Sequence, residues 1–260
     1  MIGNITAAIL NMPSAGGGGA PVAGYKLWLD ASDSATITAS GNAVSQWSDK
    51  SVNASNFTQA TGSNQPSTNT RTINGKNVID FDGTNDFLKC NSSTSIFKYL
   101  HTSTGGTVFI VGINDANGSF MGNGGASSAT TGIYHALSSN ATDLLITNGA
   151  SVTALQFGLT NVGTTAFYLT TKWDGGNATA ANRLKESKNG AAFTGSNTNT
   201  ATPSSGNSSY DMLIGANPDI YGTPSTYLNG AIGEILIYEG ILSAGDITSV
   251  QSYLATKWGI

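Results

Sequence analysis

The sequence predicts an all-β fold, a sandwich or barrel of many short strands. Only 10% of the 260 residues are charged, and Gly, Ser, Thr and Asn, which form turns, are abundant. Short segments of β-branched and aromatic residues recur along the chain, separated by turn sequences such as "ANGS", "TNGA" and "SKNG". Almost no helical pattern lies between these segments, which favours a sandwich or barrel.

The first 24 residues differ from the rest of the chain. A short apolar stripe recurs at helical spacing, Pro13 interrupts it, and a glycine run at 16–19 follows. Such a stripe cannot fold alone. It is either a disordered tail or an anchor that orders on a larger assembly or on other copies of the chain. We expect an arm at residues 1–24 and one domain at 25–260, with these anchor residues: Ile2, Ile5, Ile9 and Met12.

From Tyr25 onward, the pattern is that of short strands with alternating faces. Eight segments carry this pattern and are predicted to be strands, in the order "YKLWLDA", "VSQWSD", "NVIDFDG", "TVFIVGI", "DLLITNG", "AFYLTTKWD", "YDMLIGAN" and "IGEILIYEG".

One helix is predicted, at the C-terminal end. Ser243 can cap it, with Asp246 three residues later as a capping-box partner. An apolar stripe at helical spacing follows and predicts packing onto the sandwich, through Ile247, Val250, Leu254 and Trp258.

The strand before this helix carries Glu234 and Glu239, a candidate catalytic pair. Side chains alternate across a strand, so residues five apart point to opposite faces. Glycoside hydrolysis needs two facing carboxylates about 5 to 10 Å apart. The one other glutamate, Glu186, lies in the loop-like stretch "RLKESKNG", and His101 and His135 are isolated in sequence. We therefore expect no enzymatic activity.

The segment "FDGTNDFL" offers two interpretations. Its polar side chains can bond their own backbone and hold a tight turn. Alternatively, Asp82, Asn85 and Asp86 help to hold a calcium ion, and Asp80 shares the strand face of Asp82. No cofactor is required by either interpretation. The single cysteine, Cys90, excludes an intrachain disulfide and is expected to be a core or strand-end residue.

Carbohydrate binding would rest on exposed aromatic rings, on which sugars stack. The candidates are Trp47, Trp173, Tyr221 and Tyr227, with Trp173 and Tyr221 expected to lie in exposed loops. Packing in the core or at its rim is the alternative for each of them.

The charge pattern argues against two classes of partner. The formal net charge is -4 and the eleven basic residues are scattered, so a nucleic-acid surface is not expected. No apolar run is long enough for membrane insertion. The first basic residue is Lys26, so the start lacks the charged region of a signal peptide, and we expect synthesis in a cytoplasm without export.

Several blocks resemble, in order, laminin-G-like (concanavalin A-like) jelly-roll domains of bacterial and phage proteins. They are "YKLWLDASDSATIT", "VSQWSDKSVNASNFTQATGSNQPS", "INGKNVIDFDGTNDFL", "LIGAN" and "LNGAIGEILIYEGILSAGDITSVQSYLATKWGI". The resemblance spans about residues 25–260. It implies two packed antiparallel sheets, a concave face and often carbohydrate or protein binding at loop tips, with calcium in some relatives. Enzymatic relatives carry an E-x-D-x-E or E-x-D-x-x-E strand that is missing here.

The expected function is that of a non-enzymatic phage virion protein, because the N-terminus resembles those of some virion proteins. Residues 1–24 would attach it to capsid or tail, and the jelly roll would face outward on the virion surface as decoration or adhesin. Host-surface carbohydrate and further copies of the chain are expected partners. The alternative is a free carbohydrate-binding lectin module; a glycoside hydrolase with an atypical site is the third.

Overall fold

The computed structural model of the chain describes residues 22–138, 141–157, 164–193 and 197–260. The predicted anchor residues lie outside this part of the chain: Ile2, Ile5, Ile9 and Met12. The described residues form two packed antiparallel sheets and one long helix, which confirms the predicted all-β sandwich.

The strands of the described residues, in chain order, are β1 (Tyr25–Asp30), β2 (Ile37–Ser40), β3 (Ala43–Trp47), β4 (Phe57–Thr58), β5 (Thr72–Ile73), β6 (Lys76–Asn77), β7 (Ile79–Asp82), β8 (Leu88–Lys89), β9 (Gly106–Asn114), β10 (Gly118–Gly122), β11 (Thr131–Ser138), β12 (Ala141–Asn148), β13 (Val152–Phe157), β14 (Phe167–Trp173), β15 (Leu184–Lys188), β16 (Ala191–Ala192), β17 (Leu213–Ile214), β18 (Asn217–Pro218), β19 (Pro224–Ser225) and β20 (Asn229–Glu239). The helices are α1 (Ala180–Arg183) and α2 (Ala244–Trp258), with short 3₁₀ turns at Ser34–Thr36, Gly62–Asn64 and Lys98–Leu100.

Two sheets account for most of these strands. Within the described residues, the front sheet has the order β13-β12-β11-β10-β17-β8-β4-β3-β2. The back sheet has the order β1-β20-β9-β14-β15-β16, and β7 also pairs with β20. Two small hairpins, β5–β6 and β18–β19, lie outside both sheets.

Turn chemistry links these strands as the sequence predicts. In the β15–β16 hairpin, Asn189 and Gly190 have φ of 49° and 78°. Positive φ at both central residues of a two-residue loop matches the twist of the paired strands, and Asn-Gly adopts it at low cost.

The main core lies between the sheets and contains side chains from both. The largest of its fully buried members are Trp47, Phe57, Phe81, Phe97, Phe120, Phe167 and Trp173. A second apolar layer lies between the outer face of the back sheet and α2, and includes Trp28, Phe109 and Leu236. Burial in these two layers is the main favourable contribution to folding.

The C-terminal helix begins at the predicted cap and buries the predicted face. The Ser243 hydroxyl oxygen accepts from the Asp246 amide, and Gly259 closes the helix with a φ of 68°. Val250, Leu254 and Trp258 are buried against the back sheet, and Ile247 is partly buried there. In the described residues, no helix has the length and apolar character needed to cross a bilayer.

Candidate functional site

A row of outward-facing residues crosses the front sheet. Neighbouring strands pair residue by residue, in the order Thr38, Gln46, Thr58, Lys89, Leu213, Gly122, Tyr134 and Leu145. Residues paired across strands share one face of a sheet. The preceding or following residue on three of these strands belongs to the main core, namely Phe57, Leu88 and Ile214. The row therefore lies on the outer face.

The β18–β19 hairpin packs on this row at Gly122, the residue of the row that has no side chain. A Cβ at Gly122 would lie 1.6 Å from Oδ1 of Asn217, so the hairpin can approach the sheet only because this residue is glycine. Asn217 is fully buried there. The hairpin thereby forms one wall above the sheet.

The tip of the hairpin is held by specific hydrogen bonds. Oδ1 of Asp219 accepts from the amides of Tyr221 and Thr223, both at 2.8 Å. The Tyr210 hydroxyl donates to the Ile220 carbonyl at 2.6 Å, and the Tyr210 ring lies against Gly222. The wall is therefore fixed to the body of the domain rather than free-standing.

Between this wall and β4 lies a groove of about 470 Å³, which we call the front groove. Thr58, Lys89 and Leu213 of the outward-facing row form its floor. The remaining lining residues come from the adjacent loops and the hairpin: Gln59, Ala60, Phe87, Asn91, Tyr210, Asp211, Pro218, Gly222 and Pro224.

The polar groups in the front groove retain hydrogen-bonding capacity. Nζ of Lys89 lies 3.8 Å from Oδ2 of Asp211, with side-chain exposures of 41% and 23%. This distance is longer than a hydrogen bond. Asn91 donates one Nδ2 proton to the Thr58 hydroxyl at 3.2 Å and is exposed. An amide, an ammonium and a carboxylate therefore face solvent together.

The aromatic candidates divide into core and surface residues. The expectation of an exposed Trp173 is wrong: the ring is 2% exposed and its Nε1 donates to the Thr102 carbonyl at 2.9 Å. Trp47 is fully buried, so it is not a surface platform either. Both residues end a strand, and both rings pack between the sheets because the burial of so large an apolar surface is favourable.

The two tyrosines lie near the front groove. Tyr221, at the hairpin tip, is 82% exposed. Tyr227 is half-buried, donates to the Pro224 carbonyl at 2.8 Å and has its ring centroid 6.5 Å from that of Phe87. It therefore supports Phe87, which lines the groove.

The opposite side of the molecule holds a buried ionic cluster around Glu234. The carboxylate of Glu234 accepts four hydrogen bonds, at 2.7 to 2.9 Å, from Trp28 Nε1, Tyr253 Oη, Lys257 Nζ and Trp258 Nε1. Its position depends on Gly233, where a Cβ would lie 2.8 Å from the Trp258 ring. The cluster joins β20, β1 and α2.

Asp30 and Lys50 extend this ionic cluster. Lys257 contacts Asp30 at 2.8 Å, and Lys50 contacts Asp30 at 3.3 Å and Asp33 at 2.7 Å. Burial alone would raise the pKa of Asp30, but the charge and hydrogen bond of Lys257, with Ser32 and Lys50, lower it. Burial raises the pKa of Glu234, and Lys257 opposes that shift.

The carboxylates do not form a catalytic pair. Glu234 faces α2, whereas Glu239 lies at the exposed strand end and pairs with Lys26 at 3.1 Å, as their opposite strand faces predict. Glu186 is not in a loop: it lies in β15, buried, 3.3 Å from Nε2 of His135 but without hydrogen-bond geometry to it. Thr171 donates to Glu186 at 2.8 Å.

The "FDGTNDFL" segment uses its carboxylates to hold a turn. Oδ1 of Asp82 accepts from the amides of Thr84 and Asn85, and Oδ2 of Asp86 accepts from the amide of Asp82. Burial, with the charges of Asp82 and Asp80, raises the pKa of Asp86 to about 6 although its hydrogen bond opposes this. Within the described residues, no group of three His, Cys, Asp or Glu is placed to hold a metal. These side chains fit the turn better than a calcium site.

Two isolated reactive side chains are core residues. His101 is fully buried with Nε2 3.2 Å from the Gly206 carbonyl, and burial lowers its pKa to about 4. Burial raises the pKa of the Cys90 thiol to about 11. Neither faces the front groove.

Sequence reasoning missed most of the front groove. Lys89, Asp211 and Leu213 lie in or beside β8 and β17, which are only two residues long. A two-residue strand has too few positions to show alternation. The pairing of Leu213 with Lys89 across 124 positions of sequence leaves no local signal.

No protein-family model matches this chain, and the search of curated proteins finds no match. Solved structures share its fold. The CBM40 module of the Ruminococcus gnavus IT-sialidase, bound to α2,3-sialyllactose, has a TM-score of 0.50 and 17% identity over 67% of this chain and 94% of that chain. Domain 4 of AbnA, a GH43 extracellular arabinanase from Geobacillus stearothermophilus in complex with arabinotriose, has a TM-score of 0.56 and 12% identity. The match covers 88% of this chain and 98% of that chain.

A Trypanosoma rangeli sialidase has a TM-score of 0.58 and 13% identity over 95% of this chain and 35% of that chain. At identities this low, the matches show the fold alone, a β-sandwich that this chain shares with these domains. These neighbours come from sialidases and an arabinanase, so they lend no support to a virion role.

Proposed function

We propose that the chain is a non-catalytic carbohydrate-binding module and that the front groove holds the glycan. The observation that carries this proposal is the mixed lining of the groove. Phe87 and Pro224 supply apolar surface, whereas Lys89, Asp211 and Asn91 supply hydrogen-bonding groups. A sugar ring has apolar C–H faces and a rim of hydroxyls, so it is complementary to such a surface.

The size and position of the front groove support the same proposal. Its volume of about 470 Å³ lies within the range of small-ligand sites, roughly 300 to 1,000 Å³. Two neighbours of the same fold hold an oligosaccharide, sialyllactose in one and arabinotriose in the other. The lectin alternative from the sequence is therefore the better supported function.

The small number of carboxylates in the front groove favours glycan binding without hydrolysis. Asp211 is the one acidic residue among the described residues that line the front groove. Glycoside hydrolysis by the usual route requires two carboxylates on either side of the scissile bond. Glu234 is occupied by four donors on the opposite side of the back sheet.

Display on a virion remains a prediction from the sequence. In that setting residues 1–24 would attach the domain to capsid or tail, and the front groove would contact host-surface glycan. Many copies on one particle would convert weak contacts into avidity.

The test is a glycan-binding panel with a blocked groove. Thr58→Trp places a large ring on the groove floor, and Thr38→Trp places the same ring on the outer face of the same sheet, outside the groove lining. We expect the wild type and Thr38→Trp to bind one class of glycan and Thr58→Trp to lose it, by calorimetry on proteins with matching circular dichroism. An absence of glycan binding, or full binding by Thr58→Trp, would refute the proposal.

A further inference from the structure

The charges of the front groove are balanced. Among its described lining residues, Lys89 carries the positive charge and Asp211 the negative charge. Their 3.8 Å separation leaves each without a direct hydrogen bond to the other. A ligand in the groove therefore meets both charges at once.

Asp211 is held in a fixed orientation by Ser93. Oδ1 of Asp211 accepts from the Ser93 amide at 2.6 Å and from its hydroxyl at 3.4 Å. The Ser93 hydroxyl oxygen in turn accepts from the Met212 amide at 2.8 Å, and Ser93 is fully buried. This arrangement turns Oδ2 toward Lys89.

A hydroxyl group is complementary to this pair, whereas a carboxylate is not. A sugar hydroxyl donates one hydrogen bond and accepts others, so it can accept from the Lys89 ammonium and donate to Oδ2 of Asp211. An ionised carboxylate has acceptors alone. It would also lie close to the negative charge of Asp211, whose repulsion offsets the attraction of Lys89.

The arginines of the chain are engaged elsewhere. Arg71 pairs with Asp115 and with Asp80, and Arg183 donates to the carbonyls of Asn177 and Ala201. Neither lines the front groove. The bidentate guanidinium–carboxylate contact that best recognises an acidic sugar is therefore not formed there.

We infer that the front groove selects neutral glycans and that Lys89 and Asp211 together bind one sugar hydroxyl; this inference rests on the proposed function. It separates the chain from the CBM40 neighbour, whose ligand is the acidic sugar sialyllactose. Similar folds carry different ligands because the lining side chains, rather than the sheets, contact the sugar.

The test measures the full chain by calorimetry against matched glycan pairs whose members differ by one acidic sugar, such as lactose and 3′-sialyllactose. The neutral member of each bound pair should bind about tenfold more tightly, a difference of one charge-assisted contact. Tighter binding of the acidic member would overturn the inference and leave the proposed function standing. Binding of no member of any pair would refute both.

Two variants test the roles of the charged residues. Asp211→Asn keeps an Oδ1 acceptor for Ser93 but removes the negative charge, so the preference for the neutral member should fall several-fold. Lys89→Met keeps the length of the half-exposed side chain and should weaken neutral binding about tenfold. An unchanged preference in Asp211→Asn, with unchanged affinity in Lys89→Met, would rule out the paired hydroxyl contact.

Discussion

The ionic cluster and the front groove combine the same chemical groups in two different states. Each contains a lysine, a carboxylate and nearby aromatic rings. The side chain of Glu234 is 0% exposed and accepts hydrogen bonds from four donors. Asp211 is 23% exposed, and its Oδ2 lies 3.8 Å from the lysine it faces.

This difference distinguishes a structural carboxylate from one available to a ligand. The hydrogen bonds of Glu234 join two indoles, a phenol and an ammonium across β1, β20 and α2, so they hold the helix onto the back sheet. Oδ2 of Asp211 and the ammonium of Lys89 are directed to the front groove instead. Residue type is therefore a poorer guide to function than unused hydrogen-bonding capacity.

The largest effect is expected from Glu234→Ala. The change leaves two indole donors and the Tyr253 hydroxyl without their acceptor in a buried site, while Lys257 keeps Asp30. The free energy of unfolding should fall by about 3 to 5 kcal/mol. Glu239→Ala, on the same strand, removes an ion pair whose side chains are each 42% exposed and should cost about 1 kcal/mol or less. Urea denaturation of both variants measures the contrast. Equal losses would show that the ionic cluster does not hold the helix.

A pair of aromatic substitutions comes next. Trp173→Leu removes a buried ring and its bond to the Thr102 carbonyl, so a loss of about 2 to 3 kcal/mol is expected. Tyr221→Ala, at the exposed hairpin tip, should change stability by less than about 0.5 kcal/mol. Thermal unfolding monitored by circular dichroism compares the two. A stability loss in Tyr221→Ala as large as that in Trp173→Leu would contradict the assignment of core and surface.

The smallest effect is expected in the pH dependence of stability, which should have opposite signs for a carboxylate near the front groove and one in the ionic cluster. Asp86, beside the groove residue Phe87, has a pKa raised from 3.8 to about 6, so its ionisation costs stability as pH rises between those values. Asp86→Asn should therefore stabilise the protein at pH 8, on the order of 1 kcal/mol, and the gain should vanish toward pH 4.

Asp30 in the ionic cluster provides the contrast in sign. Because Lys257 and Lys50 hold its pKa below 3.8 against the effect of burial, its contribution is present above that pH and is lost as pH falls through the lowered pKa. Asp30→Asn should therefore destabilise the protein at pH 8. Denaturant titrations at several pH values follow both variants, and the same sign for both would contradict the assigned environments.

Much of the scaffold could be predicted from local sequence. The eight segments with strand patterns each contain a strand, and Ser243 caps the predicted helix. The opposite directions of Glu234 and Glu239 also follow from alternation along one strand. These features depend on residues within a few positions of one another, so periodicity and capping rules suffice.

Other features require the folded chain. A β-bulge between Tyr25 and Leu27 turns Tyr25 toward the back layer, although simple alternation places it with Leu27 and Leu29. Trp173 is buried between the sheets, where the carbonyl of Thr102, distant in sequence, accepts the hydrogen bond of its indole N–H.

The sequence by itself determined the all-β class, the apolar face of α2 and the lack of a facing glutamate pair on β20. Tertiary structure alone decided where the candidate site lies. The front groove forms where β4, β8 and β17, distant along the chain, become neighbours, and where the β18–β19 hairpin rests on Gly122. Long-range strand pairing decides which polar side chains are covered and which face solvent, so local sequence patterns cannot predict it.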